Sequence, residues 1–127
     1  MPDETIDIKC TVQLPNSDGR VFIQLFESRP ERVFYRITLK DPQGNIAQVV
    51  PADTYKIPIR HDLGRGANDL RGYQMACVGV VGFVVDGNWQ VKCETIVDGV
   101  VVNTCGPGEL NGKQGDMSKF RFLCTFV

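Results

Sequence analysis

Residues 5–14 read TIDIKCTVQL, in which Ile6, Ile8, Cys10, Val12 and Leu14 alternate with Thr5, Asp7, Lys9, Thr11 and Gln13. Residues 120–126, FRFLCTF, repeat the pattern with Phe120, Phe122, Cys124 and Phe126 on one phase. Successive side chains on a strand point to opposite faces, so this alternation places one face in a core and the other in water. No helical period interrupts the rhythm between the two stretches. The expectation is an all-β chain.

Working outward, turn chemistry divides the rest into strands at 5–14, 20–28, 32–40, 46–50, 54–60, 73–85, 89–97, 100–104 and 119–126. PNSDG (15–19) and DPQGN (41–45) supply Pro, Asp, Asn and Gly where a reversing backbone favours them. Asp98-Gly99, flanked by valines, predicts a tight hairpin with positive φ at both positions. If Val97 faces Val100 and the ladder runs on evenly, Cys93 lies opposite Thr104. Cys105 then lies opposite Lys92 on the other face, and no Cys93–Cys105 bridge is expected. Asp86-Gly87-Asn88 reads as a second turn, making 73–104 a three-stranded meander. HDLGRGANDLRG (61–72) and GPGELNGKQGDMS (106–118) read as long loops, where function or mobility concentrates. These signals give a single domain over 1–127: an antiparallel β-sandwich of about eight to nine strands, Ig-like or jelly-roll.

Composition narrows the function classes. The chain has 127 residues and a formal charge of −1, enough length to bury a core without metal or disulfide. Residues 1–71 carry ten Lys/Arg and ten Asp/Glu, and residues 72–127 carry four and five. Neither half is a basic footprint, so no nucleic-acid partner is expected. The longest apolar run, Met75–Val85, spans 11 residues, short of the roughly 20 needed to cross a bilayer, so no membrane span is expected. The opening MPDETIDIKC has neither the basic start nor the apolar run of a secretory signal. A cytoplasmic location is expected, although a start that replaced a removed signal would read the same. Cys10, Cys93 and Cys124 sit on apolar phases and are expected as buried free thiols, with disulfides the second reading. With no CxxC and one histidine, no metal site is expected.

Motifs for chemistry are sparse. GPGELNGKQ (106–114) has Pro107 and Gln114 where a phosphate-cradling loop needs Gly and Ser or Thr. His61 is the sole imidazole and no nucleophile-elbow pattern accompanies it, so it reads as solvated or turn-capping. The carboxylate pairs Asp62/Asp69, Asp86/Asp98 and Glu109/Asp116 fall in turns and loops, where Asp is common for conformational reasons. The same acids lack the dense spacing of a calcium loop. Catalytic residues and cofactors are therefore expected to be absent.

The second phases of two strands are more informative. In VFIQLFES the second phase carries Phe22, Gln24 and Phe26, and in ERVFYRITLK it carries Arg32, Phe34, Arg36, Thr38 and Lys40. Three phenylalanines among three cations suit neither open solvent nor a sealed core. Phe22, Phe26, Phe34, Arg32, Arg36 and Lys40 are the expected interaction face, and His61, Arg65, Asp69 and Arg71 are candidate loop contacts. Met75–Val85 is apolar on both phases, as in a central strand or one covered by another subunit. The leading expectation is a non-enzymatic interaction module that self-associates as a homo-oligomer. The alternatives are a lectin-like domain binding a glycan, through Trp89, Tyr73 and the loops, and a small hydrolase.

Overall fold

A computed structural model describes residues 4–27, 32–82 and 87–127, apart from the side chains of Glu4, Glu27 and Arg32. Nine strands are described: β1 Glu4–Val12, β2 Arg20–Glu27, β3 Arg32–Lys40, β4 Ile46–Lys56, β5 Arg60–Gly66, β6 Gln74–Gly82, β7 Gly87–Val97, β8 Val100–Gly112 and β9 Met117–Phe126. One helical turn, α1 Ala67–Leu70, lies between β5 and β6. The strands form a five-stranded sheet in the order β1-β9-β6-β3-β4 and a four-stranded sheet in the order β5-β2-β7-β8. All pairings are antiparallel except β1 with β9, which run parallel. The all-β sandwich read from the sequence is the architecture observed.

The alternating phases pack as the pattern requires. Val21, Ile23 and Leu25 of β2 face Val33, Tyr35, Ile37 and Leu39 of β3, and Phe120, Phe122 and Phe126 complete a contiguous buried core. Gly79 admits the Phe120 ring, since a Cβ there would stand 2.3 Å from Phe120 Cζ. Asp98 and Gly99 take φ of 53° and 75°, the positive values the β7–β8 turn demands. In the β3–β4 turn, Asp41 Oδ1 accepts from the amides of Gln43 and Asn45.

Four sequence expectations are corrected. First, β6 and β7 belong to different sheets, so 73–104 is not a meander and Asp86-Gly87-Asn88 closes no hairpin; Asp86 itself lies outside the described residues. Second, 61–72 is not a loop, because β5 and α1 occupy most of it. Leu63, Ala67 and Leu70 are fully buried and give the segment its inward face. Third, β8 runs on to Gly112, which reduces the second long loop to the turn at 113–116.

The fourth correction concerns register. Val97 pairs with Val100 and Ile96 with Val101, as expected, but Thr95 then pairs with Asn103. Val102 is an extra residue on β8, and a one-residue slip turns every later side chain to the other face. Cys105 therefore lies opposite Cys93 and points inward. It bonds across the sandwich to Cys10 rather than along the sheet to Cys93. Cys10 is thus not a free thiol. The other two cysteines expected to be free, Cys93 and Cys124, are buried and unbridged, as is Cys77.

The disulfide joins β1 and β8, the adjacent edges of the two sheets. Gly108 sits on the same seam, where a Cβ would press within 2.6 Å of the Ile6 and Ile8 side chains. The bond spans 95 residues of sequence, so opening it frees a long stretch of the denatured chain and costs about 2–5 kcal/mol. Protein prepared without added oxidant should show three thiols when denatured, against five after reduction, and none reactive in the native state. Thiol titration checks the count, and denaturant melts of Cys105→Ala check the energy.

Candidate functional site

The expected interaction face divides into two. Because β2 and β3 lie in opposite sheets, Phe22 and Phe26 point out of one side of the sandwich, and Phe34, Arg36 and Lys40 point out of the other. Arg32 is in β3, but its side chain lies outside the described residues. Sequence phase agrees with the outward placement of the described ones and could not say that the two strands part company.

On the four-stranded side, Phe22 is paired with Asp62 and with Ile96, which is buried on this outer face. Phe26 is 39% exposed, with Lys92 Nζ 4.9 Å from its ring centre. They border a hollow of about 230 Å³ with Gln90, Thr104 and Pro107. Charge on this side is mixed: Gln24 donates to Glu94, Lys92 pairs with Glu94, and Arg20 pairs with Asp62.

The outer face of the five-stranded sheet differs. Its registers align four rows across β1, β9, β6, β3 and β4. Thr5, Lys119, Val80, Phe34 and Thr54 form one row, and Asp7, Arg121, Val78 and Arg36 the next. Lys9, Leu123, Ala76, Thr38 and Val49 form the third, and Thr11, Thr125, Gln74, Lys40 and Ile46 the fourth. Lys9, Lys119, Arg121, Arg36 and Lys40 are opposed within these rows by Asp7 alone. That acid is 2.8 Å from Arg121 Nε. Removing the +4 of these six residues from the chain's −1 leaves −5 for the remainder. An apolar strip crosses the same rows: Phe34 is 48% exposed, Val49 46% and Ile46 63%. It borders a depression of about 360 Å³, walled by Arg36, Lys40, Val49 and Val78. Lys9, Lys119, Arg121, Val49 and Ile46 escaped the sequence reading. The outward phase of Lys9, Lys119 and Arg121 was legible, but strand pairing distant in sequence is what gathers them, and Ile46 and Val49 share the face only through the irregular β3–β4 register.

The candidate loop contacts have structural duties. His61 Nε2 lies 2.6 Å from the hydroxyl of Tyr35, and both rings meet Tyr55 edge-on or tilted. Burial pushes the Tyr35 phenol up and the His61 imidazole down, so the pair is held neutral and shares one hydrogen bond whose direction follows the histidine tautomer. His61 is therefore neither solvated nor a turn cap. Arg65 donates to Gln48 Oε1 and the Leu63 carbonyl and lies over the Tyr73 ring. Arg71 donates to the carbonyls of Leu14, Pro15 and Val127. Asp69 is exposed on α1. These four residues form no common site.

The paired carboxylates are likewise dispersed. Asp62 serves Arg20 and the Gly64 amide, Asp98 accepts from Ser17, and Asp116 accepts from the Lys113 amide. No cluster of three metal-ligating side chains occurs among the described residues. No protein-family model matches this chain, and no curated protein matches it.

The His61 geometry yields a prediction. His61→Ala leaves the buried Tyr35 hydroxyl without its partner and should cost about 1–3 kcal/mol, whereas a loop histidine would cost under about 0.5 kcal/mol. The folded state disfavours the imidazolium, so stability is full above the unfolded pKa of about 6.5 and falls as pH drops below it. His61→Gln, whose amide can donate or accept and cannot titrate, should lose that part of the acid sensitivity. Urea melts between pH 7.5 and 5 measure both effects.

Proposed function

We propose that this domain is a non-enzymatic interaction module whose contact surface is the outer face of the five-stranded sheet. One observation carries the reading: five cations and an exposed apolar strip share one face of a chain whose remaining residues sum to −5. Apolar centres with arginine at hand and polar rims mark protein interfaces more than bulk hydrophobicity does. Phe34, Val78, Val49 and Ile46 supply the centre, and Arg36, Lys40, Lys119, Arg121 and Lys9 supply the charge.

The charge also selects the partner. A face-to-face homodimer sets these cations against their own copies, and like charges across an interface are costly. Self-association through Phe22, Phe26 and Phe34 together has lost its geometric basis, because those rings face away from each other. An acidic protein surface is the partner the face complements. Phe34 is the only aromatic residue in the four rows, which does not suit base stacking. The threonines of the rows would serve a glycan's hydroxyls equally well, which keeps a carbohydrate ligand as the second reading.

The non-enzymatic part of the reading rests on His61, whose Nε2 is taken by a buried tyrosine, and on carboxylates held in turns. The compartment reading shifts as well. No helix among the described residues is long and apolar enough to cross a membrane. The Cys10–Cys105 bond favours an oxidising compartment over the cytoplasm expected from the opening residues.

Immobilised polyglutamate, a neutral glycan array and sedimentation velocity test the proposal together. Wild-type protein should sediment as a monomer and bind polyglutamate, more weakly as salt rises. Arg36→Glu with Arg121→Glu should lower that affinity at least tenfold, while Lys92→Glu on the opposite side should leave it unchanged. Salt-independent binding to neutral glycans would favour the carbohydrate reading. A stable dimer broken by Phe34→Glu would restore self-association.

A further inference from the structure

Four of the five cysteines stand at the corners of one rectangle. Cys10 and Cys124 are register partners on the parallel pair β1 and β9, and Cys93 and Cys105 are partners on the antiparallel pair β7 and β8. The corners on the two edge strands are joined, with Cα atoms 5.9 Å apart. One strand further in, about 4.8 Å away in each sheet, Cys93 and Cys124 face each other across the same gap. Both are buried and unbridged, and each influences the ionisation of the other. Closed and open rungs thus lie side by side between the sheets.

We propose that Cys93 and Cys124 are a latent second inter-sheet disulfide, closed by exchange with a small disulfide such as oxidised glutathione. The outer bond already holds the sheets within bridging distance one strand away. Both inner cysteines are buried on the inward phase of their strands, so a bond between them would repeat the Cys10–Cys105 rung one strand further in. Cys124 is the attacking group, since the neighbouring Cys93 lowers its pKa while that of Cys93 is raised, so Cys93 loses its proton in the second step.

The steps balance. The Cys124 thiolate attacks one sulfur of oxidised glutathione and expels a glutathione thiolate. The Cys93 sulfur then attacks Cys124 in the mixed disulfide and expels the second. Two S–H bonds of the protein and the oxidant's S–S bond are lost. One protein S–S bond and two glutathione thiols are formed, and the two protein protons pass to glutathione. Both cysteines are buried, so the reaction proceeds through local opening of the strands rather than on the closed molecule. Cys77 lies on β6 opposite Phe122, not Cys124, and is left as the remaining thiol.

The experiment uses the wild-type protein, incubated with oxidised glutathione in urea below its unfolding midpoint. It is then denatured without reductant, alkylated and mapped by mass spectrometry. The expected result is a fall from three thiols to one, a Cys93–Cys124 cross-link beside Cys10–Cys105, and a higher thermal midpoint. Cys93→Ala under the same treatment should stop at a glutathione adduct on Cys124. Three persisting thiols, a Cys77–Cys124 link, or a wild-type adduct that never closes would overturn the proposal.

Discussion

One extra residue in β8 sets the arrangement of this sandwich. Had the β7–β8 ladder run evenly from its turn, Cys105 would point to solvent and β1 would have no covalent partner. Val102 is accommodated as a bulge, the register slips by one, and Cys105 turns into the core within reach of Cys10. A second irregularity between Val91 and Cys93 advances the register again. It places Trp89 beside Leu110 and Gly108 beside Val91, which leaves Gly108 free to admit Ile6 and Ile8 of β1. Bulge, disulfide and glycine act together to close one side of the sandwich.

The opposite side is closed by different means. There β4 and β5 are the sheet edges, and the chain passes directly from one to the other. Tyr35 reaches from the core to His61, Gln48 of β4 donates to the Asp62 carbonyl of β5, and Arg65 returns a bond to Gln48. Irregular register in β4, with Pro51 in its midst, also makes that edge a poor template for an incoming strand. With both seams and this edge occupied, the broad faces are the surfaces free for a partner. Only one of them concentrates charge of a single sign.

The sequence was most legible where period-two alternation is strict. Which side of β1, β2, β3 and β9 faces inward follows from phase alone, and the positive φ of Asp98 and Gly99 follows from the turn residues. Legibility failed where a single residue or a distant pairing decides the outcome. The Val102 bulge leaves no mark in hydropathy, because valine suits either face of a strand. HDLGRG reads as a loop because its glycines and charges mask a strand in which Leu63 alone is fully buried. Charge counted along the chain is balanced, yet folding brings Lys9, Lys119 and Arg121 beside Arg36 and Lys40. Alternation reports which side of a strand faces out, and neighbouring strands in the sheet determine what that side adds up to.

The slipped register of β7 and β8 sets the inward placement of Cys105 and the seam it closes, and cross-strand backbone NOEs in that hairpin measure it directly. The account predicts contacts from Cys93 to Cys105 and from Trp89 to Leu110. Contacts from Cys93 to Thr104 and from Trp89 to Gly108 would mean an even ladder. They would contradict the inward placement of Cys105 and the closed seam that depends on it.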